Sequence, residues 1–207
     1  RMLGTNPICY AFPAGKYPPL VVDMATSTAA NGKLEIAQRK GVDVPEGWIQ
    51  DKNGKAALNP ADLKNGGSLL PLGSDREHGS HKGFGLSATV DILSAVLSGA
   101  SYGPWAPPFV AFMDPLPNQP GEGLGHFLGA MRVDGFRPIE DFKSNMDNWI
   151  ERFKNATPID ENQKVIIPGE PELAAEIERK VNGIPLIDAV VNDLNEVAKK
   201  MGLKKLG

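Results

Sequence analysis

Cysteine is almost missing from this chain: Cys9 is the only one in 207 residues, so no intrachain disulfide can form. That suits a reducing cytosol, and a cytoplasmic location is the expectation. Lying between Ile8 and Tyr10, Cys9 reads as a small buried core residue, with a catalytic thiolate as the alternative. Long apolar runs are missing as well. The longest candidate, residues 84–100, is broken by Ser87, Asp91 and Ser94, short of the ~18 apolar residues of a membrane span. Positive charge is not in excess: 22 Lys and Arg face 25 Asp and Glu, for a net charge of −3. No basic field is there to hold a nucleic-acid backbone. Nor does a secretory signal follow Arg1, and strand character begins within six residues, so the expectation is part of a longer polypeptide.

What the chain does hold is an ordinary globular composition, 41% hydrophobic and 23% charged, enough apolar side chain to offset ordering entropy. Glycine and proline are in excess, with 23 and 18 residues. They punctuate rather than repeat, which indicates many shaped turns.

Short apolar runs at Pro7–Phe12 and Leu20–Val22 read as strands, with the turn-rich stretch Pro13–Pro19 between them. A helix is expected over Ala29–Lys40, stopped by Gly41, and a small hairpin around Asn53-Gly54. Leu86, Val90, Leu93 and Leu97 recur at helical spacing with Ile92 and Val96 on the flanks, which predicts a helix over Gly83–Leu97 buried on nearly all sides. Phe109–Met113, His126–Val133 and Lys164–Ile167 read as further strands. Helices are expected from Pro138, over Pro171–Asn182 with Gly183 as the stop, and over about Ala189–Met201. The mixture is α/β or α+β, with strands too irregularly spaced for a repeating β-α-β array.

The strongest chemical signal is Ser80-His81-Lys82-Gly83 at the head of the expected buried helix. A helix N-terminus offers free N–H groups and partial positive charge, and Lys82 adds a full charge, so the segment suits a phosphate. A solvated surface cap is the alternative. The overlapping Gly83-Phe84-Gly85-Leu86-Ser87-Ala88 matches the dinucleotide pattern G-x-G-x-x-A, but it lacks the preceding strand and the later acidic residue. Gly121-Glu122-Gly123-Leu124-Gly125 fails the same test. His78, His81, Asp75 and Glu77 are unspecific as metal ligands, and no metal is expected. Neither a nucleophile elbow nor a Walker loop is present. Asp23 ends a strand before the hydroxyl-rich Thr26-Ser27-Thr28. Such a carboxylate can orient a ligand, while the favoured reading of the hydroxyls is N-capping of the next helix.

In this order the pieces resemble the malate/L-lactate dehydrogenase family, which is unrelated to the Rossmann-type enzymes and includes ureidoglycolate, sulfolactate and 2,3-diketogulonate oxidoreductases. The matching elements are Leu3-Gly4-Thr5-Asn6-Pro7, Val22-Asp23-Met24-Ala25-Thr26-Ser27, Gly32-Lys33-Leu34-Glu35, Leu70-Pro71-Leu72-Gly73, His81-Lys82-Gly83 with Gly85-Leu86, and Ile167-Pro168-Gly169-Glu170. They run from residue 3 to about residue 201.

The resemblance implies a nicotinamide cofactor, NAD or NADP, held without a Rossmann domain on a largely antiparallel mixed sheet with surrounding helices. It places cofactor contacts at Val22, Asp23, Met24 and Ala25, at His81 and Lys82, and at Gly169, Glu170 and Pro171, and a substrate contact at Thr5. Residues 1–168 would form the NAD(P)-binding domain. Residues 169–207 would be a C-terminal helical segment packing on an N-terminal domain outside this chain. The proton-transferring histidine would come from that same outside region, so no catalytic residue is assigned here. An arginine often stands two residues before the Gly-Thr-Asn-Pro element; Met2 holds that position and Arg1 lies one residue off. The implied activity is hydride transfer between nicotinamide and a small 2-hydroxy or 2-keto acid, in an enzyme that is at least a dimer. The alternative is a non-catalytic nucleotide-binding or subunit-interface module.

Overall fold

The computed structural model describes residues 2–110 and 112–206. Arg1, weighed above as a neighbour of the Gly-Thr-Asn-Pro element, lies outside the described residues, as does Ala111 within the expected strand at 109–113. The chain divides into two compact units, Arg1–Asn148 and Trp149–Gly207.

In the first unit, β1 (Ile8–Phe12) and β2 (Leu20–Met24) pair antiparallel, with Ile8 opposite Met24 and Phe12 opposite Leu20. β-Branched and aromatic residues favour this ladder, and Pro13, Pro18 and Pro19 keep the connection out of it. Asp147 holds that connection: its carboxylate accepts the backbone N–H groups of Gly15 and Lys16 at 3.0 and 2.9 Å, and that of Tyr17 at 3.4 Å. These amides, Lys16 first, hold the Asp147 carboxyl below the usual carboxylate range. The two faces of the hairpin are largely open, and Cys9 is exposed. The core reading of Cys9 is therefore corrected. β1 pairs with β2 and leaves Cys9 without an apolar layer over it among the described residues.

α1 (Asn31–Lys40) buries Leu34 and Ala37 and ends where Gly41 takes a left-handed φ of 66°, its N–H closing on the Ala37 and Gln38 carbonyls. A three-stranded antiparallel sheet follows in the order β4-β3-β5, from β3 (Ile49–Gln50), β4 (Ala56–Ala57) and β5 (Ser68–Leu69). The β3–β4 turn is the expected hairpin, shaped by Asp51 accepting the N–H groups of Asn53 and Lys55 at 2.8 and 2.9 Å. Ala29, Leu34, Ala37, Val44, Ile49, Ala57 and Leu63 form one core cluster, with Ile49 wholly buried.

α2 (Ser80–Asp91) starts three residues before the expected helix and continues through a π-helical turn at Ile92–Val96. Its packing also differs from expectation. Gly83, Ser87 and Ala95 are buried, whereas Phe84, Ile92, Val96 and Leu97 are exposed. The helix turns its small residues to the rest of the unit, because close backbone approach is what those positions permit. Gly121-Glu122-Gly123-Leu124-Gly125 runs against the far end of this helix. Ser101 Oγ donates to the Gly121 carbonyl at 2.8 Å, and a Cβ on Gly121 or Gly125 would strike the backbone of Ala100 or Ser94. Gly121 and Gly125 of this second dinucleotide-like pattern are thus packing glycines, while Gly123 takes a left-handed φ of 63° with open space beside it.

Residues 126–132 form no strand: they are exposed, and no partner ladder among the described residues takes up their backbone groups. The described residues of 109–113 and residues 164–167 likewise join no ladder, although Phe112 packs against the core cluster and Ile167 is buried, so those three strand expectations are corrected. α3 (Ile139–Lys154) contains the dividing point of the two units. The second unit continues with α4 (Glu170–Asn182), ended at Gly183 as expected, and α5 (Asp188–Lys200). Leu173, Ile177 and Val181 on α4, and Leu194 and Val197 on α5, are exposed.

Candidate functional site

The first unit gathers four of the motif segments around one buried side chain. Thr26, 1% exposed, lies two residues past the end of β2. Its N–H donates to the Thr5 carbonyl at 2.8 Å, and its hydroxyl lies 3.1 Å from the Thr5 carbonyl and 3.0 Å from that of Asn6. Thr26 in turn accepts the Leu72 N–H at 3.0 Å. Leu72 lies directly under Gly83 of α2, where a Cβ would overlap the Leu72 backbone. One turn further along α2, the Ser87 carbonyl accepts Asn6 Nδ2 at 3.0 Å. The contacts close a ring: Thr5-Asn6, Thr26, Leu72, then Gly83 and Ser87, and back to Asn6.

This ring corrects the capping reading of the hydroxyls. The residue before α1 is Ala30, and no side chain caps that helix. Thr26 holds the Thr5-Asn6 backbone instead. Thr28 Oγ1 donates to the Leu70 and Pro71 carbonyls at 2.8 and 3.0 Å, and Ser27 Oγ to the Ala29 carbonyl at 2.8 Å. A hydroxyl beside a buried carbonyl satisfies it where no ladder reaches.

Of the residues singled out in the sequence, Thr5 is half-buried beside Thr26. Val22 and Ala25 are half-buried at the end of β2, while Asp23 and Met24 are exposed. His81 and Lys82 are exposed in the first turn of α2, not ahead of it. Gly79 precedes that turn with a φ of 91° and no side-chain cap. Lys82 Nζ has no hydrogen-bond or ion-pair partner among the described residues. A helix start with an uncapped end and an uncommitted ammonium fits an anionic group such as a phosphate.

His78 is engaged elsewhere: its N–H and Nδ1 both meet Asp75 Oδ1, at 2.9 and 2.8 Å. These bonds hold the Asp75 carboxyl below its ordinary value, the backbone one foremost. Among the described residues no group of three His, Cys, Asp or Glu side chains comes together to hold a metal. A cavity of about 440 Å³ opens next to the start of α2, bordered by Glu46, Gln50, Ser74, Arg76 and Ser80. His81 and Lys82 do not line it.

The second unit holds the third segment expected to contact a cofactor. Gly169 takes a φ of 96° ahead of α4, and Glu170 opens the helix, with Pro171 next and exposed. Both carboxylate oxygens of Glu170 are engaged: Oε1 pairs with Lys154, and Oε2 accepts the Ile167 N–H at 3.1 Å. Lys154 is the main cause that holds this carboxyl below its usual range. A cleft of about 450 Å³ is lined by Lys154, Pro158, Lys164, Ile166, Glu170 and Pro171, among others.

Sequence reading missed Asn6, Thr26 and Leu72 as the parts that join the motifs. Their signal was faint: an asparagine before a proline, and a threonine inside a small-residue run.

A family model described as malate/L-lactate dehydrogenase matches residues 1–195. The malate dehydrogenase of Pyrococcus abyssi is 40% identical over 207 residues, covering 100% of this chain and 55% of that protein. A malate/(S)-sulfolactate dehydrogenase of Methanothermus fervidus is 34% identical over 203 residues, 98% of this chain and 54% of that one. Among solved structures, the malate dehydrogenase of Entamoeba histolytica superposes with a TM-score of 0.81 at 30% identity, over 98% of this chain and 56% of its own. The chain thus spans about half the length of the relatives it matches.

Proposed function

The chain belongs to the malate/L-lactate dehydrogenase family, and on that premise we propose that it forms the cofactor-binding part of an NAD(P)-dependent oxidoreductase acting on a small 2-hydroxy or 2-keto acid. The observation that carries this reading is the ring of hydrogen bonds closed by the Leu72–Gly83 backbone contact. It sets the Thr5 loop, the Val22–Ala25 strand end and the first turn of α2 around one buried threonine.

A bound nicotinamide dinucleotide supplies or accepts the hydride. Lys82 neutralises a phosphate at the uncapped helix start, and His81 packs or donates beside it. Val22, Asp23, Met24 and Ala25 form the strand-end wall, and Thr5 orients the acid. In the second unit Gly169, Glu170 and Pro171 are further cofactor contacts, with Lys154 offsetting the Glu170 charge. Residues 1–168 act as the NAD(P)-binding portion and 169–207 as a helical segment that packs on polypeptide outside this chain, which also supplies the histidine acid/base. The enzyme works in the cytoplasm and is at least a dimer.

Titration with NADH and with NADPH tests the reading, followed by turnover of malate, lactate and sulfolactate in the enzyme that contains this chain. Binding of one nucleotide together with turnover of one of these acids is the expected result. Binding without turnover of any acid would favour a non-catalytic nucleotide-binding module. Binding of neither nucleotide would overturn both.

A further inference from the structure

Asn6 stands out in the ring on two independent grounds. Its φ is 34°, inside the left-handed region that a side chain rarely adopts, and asparagine is among the few non-glycine residues that tolerate it. Its amide also crosses 81 residues of sequence to donate to the Ser87 carbonyl on α2. The neighbouring Gly4 leaves room for this: a Cβ there would come within 3.1 Å of Asn6 Oδ1. The Asn6 carbonyl meanwhile accepts the Thr26 hydroxyl. A residue in an uncommon backbone state with both its main chain and its side chain engaged is fixed from two directions.

The two directions lead to different jobs. The main chain leads through Thr26 to the end of β2 and, one residue back, to Thr5. The side chain leads to α2, where Ser87 lies six residues, about 9 Å of helix, beyond His81.

We infer that Asn6 is a positioning residue that sets the substrate-side loop of Thr5 against the cofactor-side helix α2. This rests on the function proposed above. Asn6 acts through Thr26 and α2: it fixes the separation of the Thr5 loop and the helix that the proposed function assigns to substrate and cofactor. Hydride transfer is sensitive to that separation, since a misplacement near 1 Å can cost about 100-fold in rate.

Three variants separate this from a role in folding alone. Asn6→Gly keeps the positive φ and removes the amide. Asn6→Asp keeps the shape but turns a carboxylate oxygen toward the Ser87 carbonyl. Asn6→Ala removes the amide and strains the backbone. In the enzyme that contains this chain, assayed with malate and lactate and with either nucleotide, Asn6→Gly is expected to lower kcat at least tenfold. Its Kd for NADH or NADPH should stay within twofold and its melting temperature near that of the parent. Asn6→Asp should lose at least as much rate, and Asn6→Ala should add a lower melting temperature.

Parental kcat in Asn6→Gly would overturn the inference. So would losses of kcat, nucleotide affinity and melting temperature that run in parallel, since that pattern belongs to a fold defect. If the parent enzyme binds a nucleotide and turns over an acid, those outcomes bear on Asn6 alone. A parent that binds neither nucleotide overturns the function and this inference with it.

Discussion

Replacing Thr26 by valine keeps the shape of a buried, β-branched side chain and removes the single hydroxyl at the centre of the ring. The Thr5 carbonyl keeps the Thr26 N–H at 2.8 Å, so it loses little. The Asn6 carbonyl loses the hydroxyl 3.0 Å away. One net hydrogen bond contributes about 0.5–1.5 kcal/mol, and a buried carbonyl left unsatisfied costs about 1–3 kcal/mol. The expected destabilisation is therefore about 1–3 kcal/mol, or very roughly 4–8 °C in melting temperature for a 2 kcal/mol loss in a protein of this size. Urea denaturation followed by far-UV circular dichroism reads it directly. Thr26→Ser is the companion variant: it keeps the hydroxyl and deletes a methyl, at about 1 kcal/mol. If Thr26→Val stays within about 0.5 kcal/mol of the parent, a margin below one typical net hydrogen bond, the hydroxyl does not hold the Asn6 carbonyl and the ring reasoning is wrong.

Ile49 is 0% exposed at the centre of the core cluster, so Ile49→Ala should cost about 2–5 kcal/mol by denaturant titration. Lys82→Ala should weaken NADH or NADPH binding by about 1.5–3 kcal/mol, the range for a charged hydrogen bond, and unchanged affinity for both would remove the phosphate assignment. The Asp147 carboxyl is held below its usual range by the amides of Lys16, Tyr17 and Gly15. A lowered folded value means the contribution is complete above the ordinary carboxylate range and is lost as pH falls through the folded value. Stability should thus drop between about pH 5 and lower values, and Asp147→Asn should flatten part of that drop in pH-dependent urea melts. Phe84, Leu97, Leu128, Met131, Ile177 and Val181 are all exposed, so the isolated chain should bind a hydrophobic dye and scatter light as an irregular assembly. A monodisperse, dye-negative species would show those side chains covering one another in solution.

Elements with local signals were legible. α1 carries its stop in Gly41 and α4 in Gly183, and the Asn53-Gly54 turn sits where an Asx turn and a positive φ are needed. The expected strands at 126–133 and 164–167 have the right residue types, but a strand exists only when another ladder takes up its backbone groups. That partner is not in the local sequence. The burial of α2 failed for a related reason. Periodicity marks which residues are apolar, while Gly83, Ser87 and Ala95 decide which side approaches the rest of the unit.

The candidate site was legible as a set of segments and illegible as a connected object, and the ring explains both. Most of its bonds run from a side chain to a backbone carbonyl, or from backbone to backbone, across 20 to 81 positions. A carbonyl has no residue identity, so the acceptor end of such a bond leaves no mark in the sequence. Only the donor does, as an asparagine or a threonine that local rules assign to a turn or a cap. The same logic accounts for the glycines. Gly83 matches a dinucleotide fingerprint by spacing, yet its missing side chain is needed to admit the Leu72 backbone. In this fold, therefore, much of what reads as ligand chemistry in the motifs is the motifs holding one another. The groups left uncommitted after that accounting, Lys82 above all, are the ones to test first for contact with a ligand.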